Sequence, residues 1–212
     1  MNQLNNLTHR VCRRRFGNGR GDRHHVESAN VGRDEARIGP HTLQSGAIVR
    51  EARHPRFPLR AGCKRPLTYS GFWDATTELG QVKAWWGRWP DANVGVPTGK
   101  RSGLLVLDVD PRDGGPQSMA TLERETGPLP RTARSRTGGG GVHVLFRYPA
   151  EKEIRNSAGW LGPGLDVRGE GGYVVVPPSR TQGVYEWLDK SSPIEAAWLL
   201  ECLSEYNERT LF

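Results

Sequence analysis

Three short segments hold the side chains whose types and spacing suit chemistry. Asp108 and Asp110 stand two apart at the end of SGLLVLDVD, Ser102 to Asp110. In an extended strand that spacing points both carboxylates to one face. The run before them is apolar, so the pair loses solvation and repels itself, and a divalent cation is the usual remedy. Hard carboxylate oxygens suit Mg²⁺ or Mn²⁺, ions that also bind phosphates. In the second segment, Gly138 to Gly141 precede His143. Four glycines free the backbone so that successive N–H groups, that of Gly141 included, can line a phosphate. His143, just inside the following strand, can donate to a triphosphate. Asp166 and Arg168 repeat the two-apart geometry. They offer a third carboxylate and a guanidinium able to grip phosphate bidentately. Each segment alone has a plainer reading: a turn-starting acidic pair, a hairpin with a structural histidine, and a local ion pair.

Those side chains need strands to hold them. Ser102 to Asp110 is the clearest strand in the chain. Val142 to Tyr148 alternates as another, with His143, Leu145 and Arg147 on one face. Further strands are expected at Asn93 to Gly99, Arg134 to Arg136, Leu165 to Arg168, Tyr173 to Ser179 and Val184 to Leu188. A short strand leading into a turn is expected in RFPLRAGCKRPLT, from Arg56. Leu79, Val82, Trp85, Trp86 and Trp89 recur at helical spacing and predict a helix from about Glu78 to Trp89, ended by Pro90. Tryptophans at this spacing pack a core more often than they stack on bases. Two more helices are expected, at Gln117 to Glu125 and from about Pro193 to Glu205. Many strands with short turns and few crossover helices predict an α+β fold with a largely antiparallel sheet.

The chain has 212 residues, enough for a substantial core, and its 27 glycines and 15 prolines favour turns and short elements. No apolar run reaches membrane-spanning length, and the N-terminus lacks the apolar stretch of a secretory signal. A cytoplasmic location is expected. Cys12, Cys63 and Cys202 are too far apart for a disulfide or metal framework. The net charge of +7 sits in the front quarter, where residues 1–60 carry 12 arginines and 5 acidic residues. Such an arm can attract nucleic acid without reading sequence, but a solvated, disordered arm is the favoured reading. Residues 1–50 show no sustained period and are expected to be poorly ordered. Their histidines, His9, His24, His25 and His41, have no cysteines at ligand spacing. The chain is expected to divide into a basic segment, 1–55, that is disordered or atypical, and a folded domain, 56–212.

Taken in order, these segments resemble the three motifs of the archaeo-eukaryotic primase superfamily. More narrowly, the chain resembles the bifunctional primase-polymerase domain of plasmids, phages and integrated elements. The matching text is KRPLT (Lys64 to Thr68), FWDATT (Phe72 to Thr77), WWGRWPDANVGVPTG (Trp85 to Gly99), SGLLVLDVD, GGGGVHVLFRY (Gly138 to Tyr148) and LDVRGEGGYVVVPPS (Leu165 to Ser179). The resemblance covers roughly residues 57–200.

It implies an RRM-like, palm-like sheet with flanking helices and a smaller α/β subdomain. By that analogy Asp108, Asp110 and Asp166 hold the metal ions, and His143 and Arg168 bind the incoming nucleotide's phosphates. Lys64 and Ser179 lie near the site. The implied reaction is template-directed nucleotidyl transfer by two-metal catalysis, joining NTPs or dNTPs along single-stranded DNA. A replicative helicase in trans is an implied partner. The chain departs from the pattern twice. Gly141 stands where a small hydroxyl residue is usual, two before the histidine. GAIVREARHPRFPL keeps little of the apolar pattern of the family's first strand, which is therefore expected to be missing or remodelled. Two other functions compete. One is a catalytically degenerate module that binds DNA or nucleotides. The other is an Asp-x-Asp metal-dependent glycosyltransferase, which gives no role to the glycine run, His143, Asp166 or Arg168.

Overall fold

The computed structural model describes residues 53–209, and their side chains as far as residue 203. The expectation of disorder at 1–50, and the histidines and Cys12 there, lie outside the described residues. Those described fall within one compact unit, Gly39–Phe212.

Among the described residues ten strands form two sheets. In chain order they are β1 (Phe57–Leu59), β2 (Asn93–Pro97), β3 (Leu104–Val109), β4 (Arg134–Arg136), β5 (Val142–Arg147), β6 (Ser157–Ala158), β7 (Leu165–Arg168), β8 (Tyr173–Val176), β9 (Glu186–Asp189) and β10 (Ile194–Glu195). The helices are α1 (Leu79–Arg88), α2 (Gly115–Thr126) and α3 (Ala197–Arg209). The larger sheet runs β6-β7-β3-β5-β4-β9, with β10 added in parallel to β5. The smaller runs β1-β2-β8. Every pairing between named strands except that of β10 is antiparallel. The fold is the α+β, mostly antiparallel, palm-like one that the segment order predicts.

Period two explains the layering. On β3, Leu105, Leu107 and Val109 pack with Val144 and Phe146 of β5, Leu165 and Val167 of β7, Leu122 of α2 and Leu199, Cys202 and Leu203 of α3. The alternate residues Leu104 and Val106 belong to a second cluster with Leu145, with Val94, Val96, Val174 and Val176 of the smaller sheet, and with Val82 and Trp86 of α1. Asp108 continues that second face. Leu104 to Leu107 are essentially inaccessible, and each such side chain stabilises by roughly 1.5–3 kcal/mol.

The helix stripe is met in part. Val82 and Trp86 are buried, Trp85 and Trp89 pack at the cluster's margin, and Trp86 Nε1 donates to Ala92 O at 3.0 Å. The tryptophans are core residues. Leu79, at the helix start, is exposed instead. The first strand is present but short: β1 is buried along its three residues and pairs with β2. The strand expected at Val184 to Leu188 begins at Glu186, and the last helix begins at Ala197 rather than Pro193.

Candidate functional site

The ladder registers bring the predicted residues into one row. Asp108 on β3 is directly opposite Asp166 on β7 and directly opposite His143 on β5. His143 in turn faces Ser135 on β4. Opposed residues in an antiparallel ladder share a face, with Cβ atoms about 5 Å apart. Asp166, Asp108, His143 and Ser135 therefore stand side by side across four strands, on the face away from α2 and α3.

Charge within the row is uneven. Arg168, two along from Asp166, places Nη2 at 2.8 Å from Asp166 Oδ2 and 3.8 Å from Asp108 Oδ2. Two apposed carboxylates thus share one guanidinium. Asp166 Oδ1 also accepts from Gly159 N–H at 3.0 Å, which fixes its plane. The local ion pair of the plainer reading is real, yet Arg168 reaches Asp108 too.

His143 Nε2 stands 3.6 Å from Asp108 Oδ1, too long for a hydrogen bond. The side chain is 6% exposed. Burial pushes its pKa below the ordinary 6.5, and the opposing pull of Asp108 is the smaller effect. The imidazole is therefore neutral at pH 7, a donor through one nitrogen only. Its Nδ1 and the Oγ of Ser135 are both buried without a hydrogen-bond partner, on directly opposed residues. Tyr185 covers the ring, with centroids 6.2 Å apart.

Asp110 departs from the sequence expectation. β3 ends at Val109, and Asp110 caps the 3-10 turn Pro111–Asp113. Its Oδ1 accepts from the N–H and Nε of Arg112 at 3.0 and 3.1 Å, and its Oδ2 from Nη2 at 2.7 Å. That guanidinium, first among the causes, holds the Asp110 carboxyl below the usual carboxylate range. Arg112 was not singled out by sequence. The signal was present, because Asp followed by Pro is the pattern of a helix cap with proline at its first position.

The glycine run is a locked hairpin turn. Gly141 N–H donates to Thr137 Oγ1 at 3.0 Å, and Thr137 N–H donates to Gly141 O at 2.8 Å. The Gly141 N–H expected to line a phosphate is thus engaged by Thr137. A Cβ at Gly141 would press on the Val109 carbonyl oxygen and come within 3.2 Å of Thr137 Oγ1. The missing hydroxyl residue therefore has a steric cause, and Thr137 supplies a hydroxyl beside that place. Gly139 lies against the Arg112 guanidinium, 3.5 Å from where its Cβ would be.

Lys64 and Ser179 separate. Lys64 is exposed, its carbonyl accepts from Tyr173 Oη at 2.9 Å, and its ammonium is felt electrostatically at both Asp110 and His143. Ser179 is fully buried, and its Oγ accepts from Val94 N–H at 2.8 Å, tying the end of the β8 segment to β2. It is a packing residue in this structure, not a member of the row.

The donor set fits a hard divalent ion: three carboxylates and no thiol, with two of the carboxylates apposed under a single guanidinium. The backbone brings them to one end of the sheet, but the side chains of Asp110 and Asp166 are turned onto Arg112 and Arg168. Among the described residues no group of three His, Cys, Asp or Glu side chains already converges on a point. Nor is any helix there long and apolar enough to cross a membrane.

The described residues thus form a palm-like α+β domain with Asp166, Asp108 and His143 side by side on one sheet face. The chain belongs to the Prim-Pol family, described as bifunctional DNA primase/polymerase, N-terminal, whose signature matches residues 48–198. Membership brings DNA primase/polymerase-type function in general, with DNA and nucleotides as the substrates it implies. Among curated proteins nothing matches the chain.

Proposed function

We propose that the chain is a catalytic primase-polymerase domain that joins nucleotides along a single-stranded DNA template. The observation that supports this most is the register placing Asp166, Asp108 and His143 shoulder to shoulder from three distant segments. Asp108 and Asp166 would hold Mg²⁺ or Mn²⁺, with Asp110 completing the set once its side chain leaves Arg112. Bound there, two such ions supply an activated 3′-hydroxyl and neutralise the leaving pyrophosphate. Arg168 and Lys64 bind the triphosphate of an NTP or dNTP through charge-assisted hydrogen bonds. Neutral His143 donates Nε2–H to a phosphate oxygen without adding charge. Buried Leu105, Leu107 and Val109 hold β3 still, so the backbone that carries Asp108 is fixed before substrate arrives. Residues 56–212 act as the catalytic domain, and residues 1–55 are an atypical basic segment. The family resemblance points to replication of a plasmid, phage or integrated element, with a helicase in trans.

Purified protein with Mg²⁺ or Mn²⁺ is expected to make or extend primers on single-stranded DNA. Asp108→Ala is expected to abolish this while the circular-dichroism spectrum and melting curve stay those of a folded protein. Undiminished synthesis by that variant would remove the metal-site assignment.

A further inference from the structure

We infer that the loop from Lys64 to Asp74 is a landing surface for single-stranded DNA, with Trp73 and Tyr69 stacking on its bases. This deepens the proposed activity and rests on it for the identity of the strand.

Large exposed apolar side chains are mostly scattered singly over the described residues, as at Leu79, Trp160 and Leu188. The exception is Tyr69 and Trp73, four residues apart on one loop and 104% and 59% exposed. Trp73 lies on Phe72, with centroids 4.7 Å apart, and Phe72 approaches Tyr173 at 6.1 Å. The outer indole face is thus backed by an aromatic stack and offered to solvent. A rigid aromatic face backed by protein is the platform that unpaired bases stack on, whatever their sequence.

The loop is built to hold that face still. Ser70 N–H donates to Asp74 Oδ2 at 2.8 Å, and Thr68 Oγ1 donates to Gly71 O at 2.9 Å. Leu67 N–H donates to Pro58 O at 3.0 Å, and Arg101 Nη2 donates to Ala75 O at 2.7 Å. A preorganised surface loses less ordering entropy on binding.

Its charge suits a phosphate backbone. Between residues 60 and 74 the charged side chains are Arg60, Lys64, Arg65 and Asp74, and Asp74 is engaged in the loop's own hydrogen bond. The three cations are all exposed. The surface is also continuous with the site. Tyr173, which backs Phe72, bonds the Lys64 carbonyl, and the Lys64 ammonium acts on Asp110 and His143. The Tyr173–Lys64 bond thus links the aromatic platform to a cation within electrostatic reach of Asp110 and His143.

The test is fluorescence anisotropy with the full chain, without metal or nucleotide. The probes are a labelled oligothymidylate and a strand of equal length carrying abasic sites. Phosphates alone, including any held by the basic N-terminal arm, bind both strands, whereas stacking needs bases. Trp73→Ala is expected to weaken oligothymidylate binding about tenfold and leave abasic binding unchanged. Trp73→Phe is expected to keep most of the affinity, and Tyr69→Ala to lose less than Trp73→Ala. Four results would each overturn the surface: wild-type affinity in Trp73→Ala, equal loss on both strands, the loss appearing in Trp160→Ala instead, or a change in sedimentation with DNA binding intact. The last would make the patch a seat for a second copy. Asp108→Ala is expected to bind oligothymidylate normally. Loss of its synthesis beside wild-type binding by Trp73→Ala would sink the surface and keep the activity. Trp73-dependent binding by a wild-type protein that makes no product would do the reverse.

Discussion

The two sheets are built from the same ladders and put to opposite uses. Across the smaller sheet the central opposed pairs are Val94 with Val176, Gly95 with Val175, and Val96 with Val174. Across the larger one, a single row reads Asp166, Asp108, His143, Ser135. One register step along β3, Leu107 faces Val144 and Val167, as apolar as anything in the smaller sheet. A row of opposed residues is thus the unit of the proposed function. It gathers four polar groups from segments far apart in the chain, while the rows beside it supply the stiffness. The desolvation of two apposed carboxylates is unfavourable, and Arg168 offsets part of it. No such row, and no such counter-ion, lies along the β2–β8 ladder.

Exchanging neighbours on β3 tests this contrast most strongly. Asp108→Asn is expected to bring synthesis to background with an unfolding midpoint unchanged or raised, since one of two repelling charges is gone. Leu107→Ala is expected to destabilise by about 2–5 kcal/mol in a denaturant titration, while activity per folded molecule stays near that of the parent. If Leu107→Ala kept full stability, the division between rows would be lost.

Gly95→Ala carries the comparison into the smaller sheet. Its Cβ would sit 2.6 Å from the ring of fully buried Phe57. An overpacking cost of about 1–3 kcal/mol is expected, with KM and kcat unaltered after correction for folded fraction. A selective fall in kcat would show that the smaller sheet does more than support.

The weakest effect concerns the junction of the sheets, where His54 donates Nδ1–H to Ser102 O at 3.0 Å. Burial, its leading cause, lowers the His54 pKa below 6.5. The unfolded chain therefore takes up the proton first on acidification. Stability is complete above pH 6.5 and declines as pH falls towards the depressed folded value. Chemical denaturation at pH 7 and pH 5 is expected to show that decline, and His54→Gln to make it shallower. An unchanged slope would place the titration elsewhere.

How much of this could be read from residues alone follows from how local each cause is. The strands carrying Asp108, His143 and Asp166 announce themselves by apolar runs and alternation, so the row's members were legible, and so was the fold class. β6 and β10, two residues each, have no period to detect. Asp110 stands one residue past the end of β3 with its backbone still extended, and its Arg112 partner comes from the Asp-Pro cap that follows, which strand period does not announce. Ser179 looked available because nothing near it in sequence consumes its hydroxyl. The Val94 N–H that does so is 85 residues away. Gly141 looked like a loss until the Val109 carbonyl, on a different strand, showed that no side chain fits.

Mn²⁺ titration followed by electron paramagnetic resonance, with a non-hydrolysable nucleotide present, addresses the row itself. The account predicts that the parent protein takes up the ion and that Asp108→Asn and Asp166→Asn each lose most of that binding while remaining folded. Equal Mn²⁺ uptake by all three proteins would contradict it.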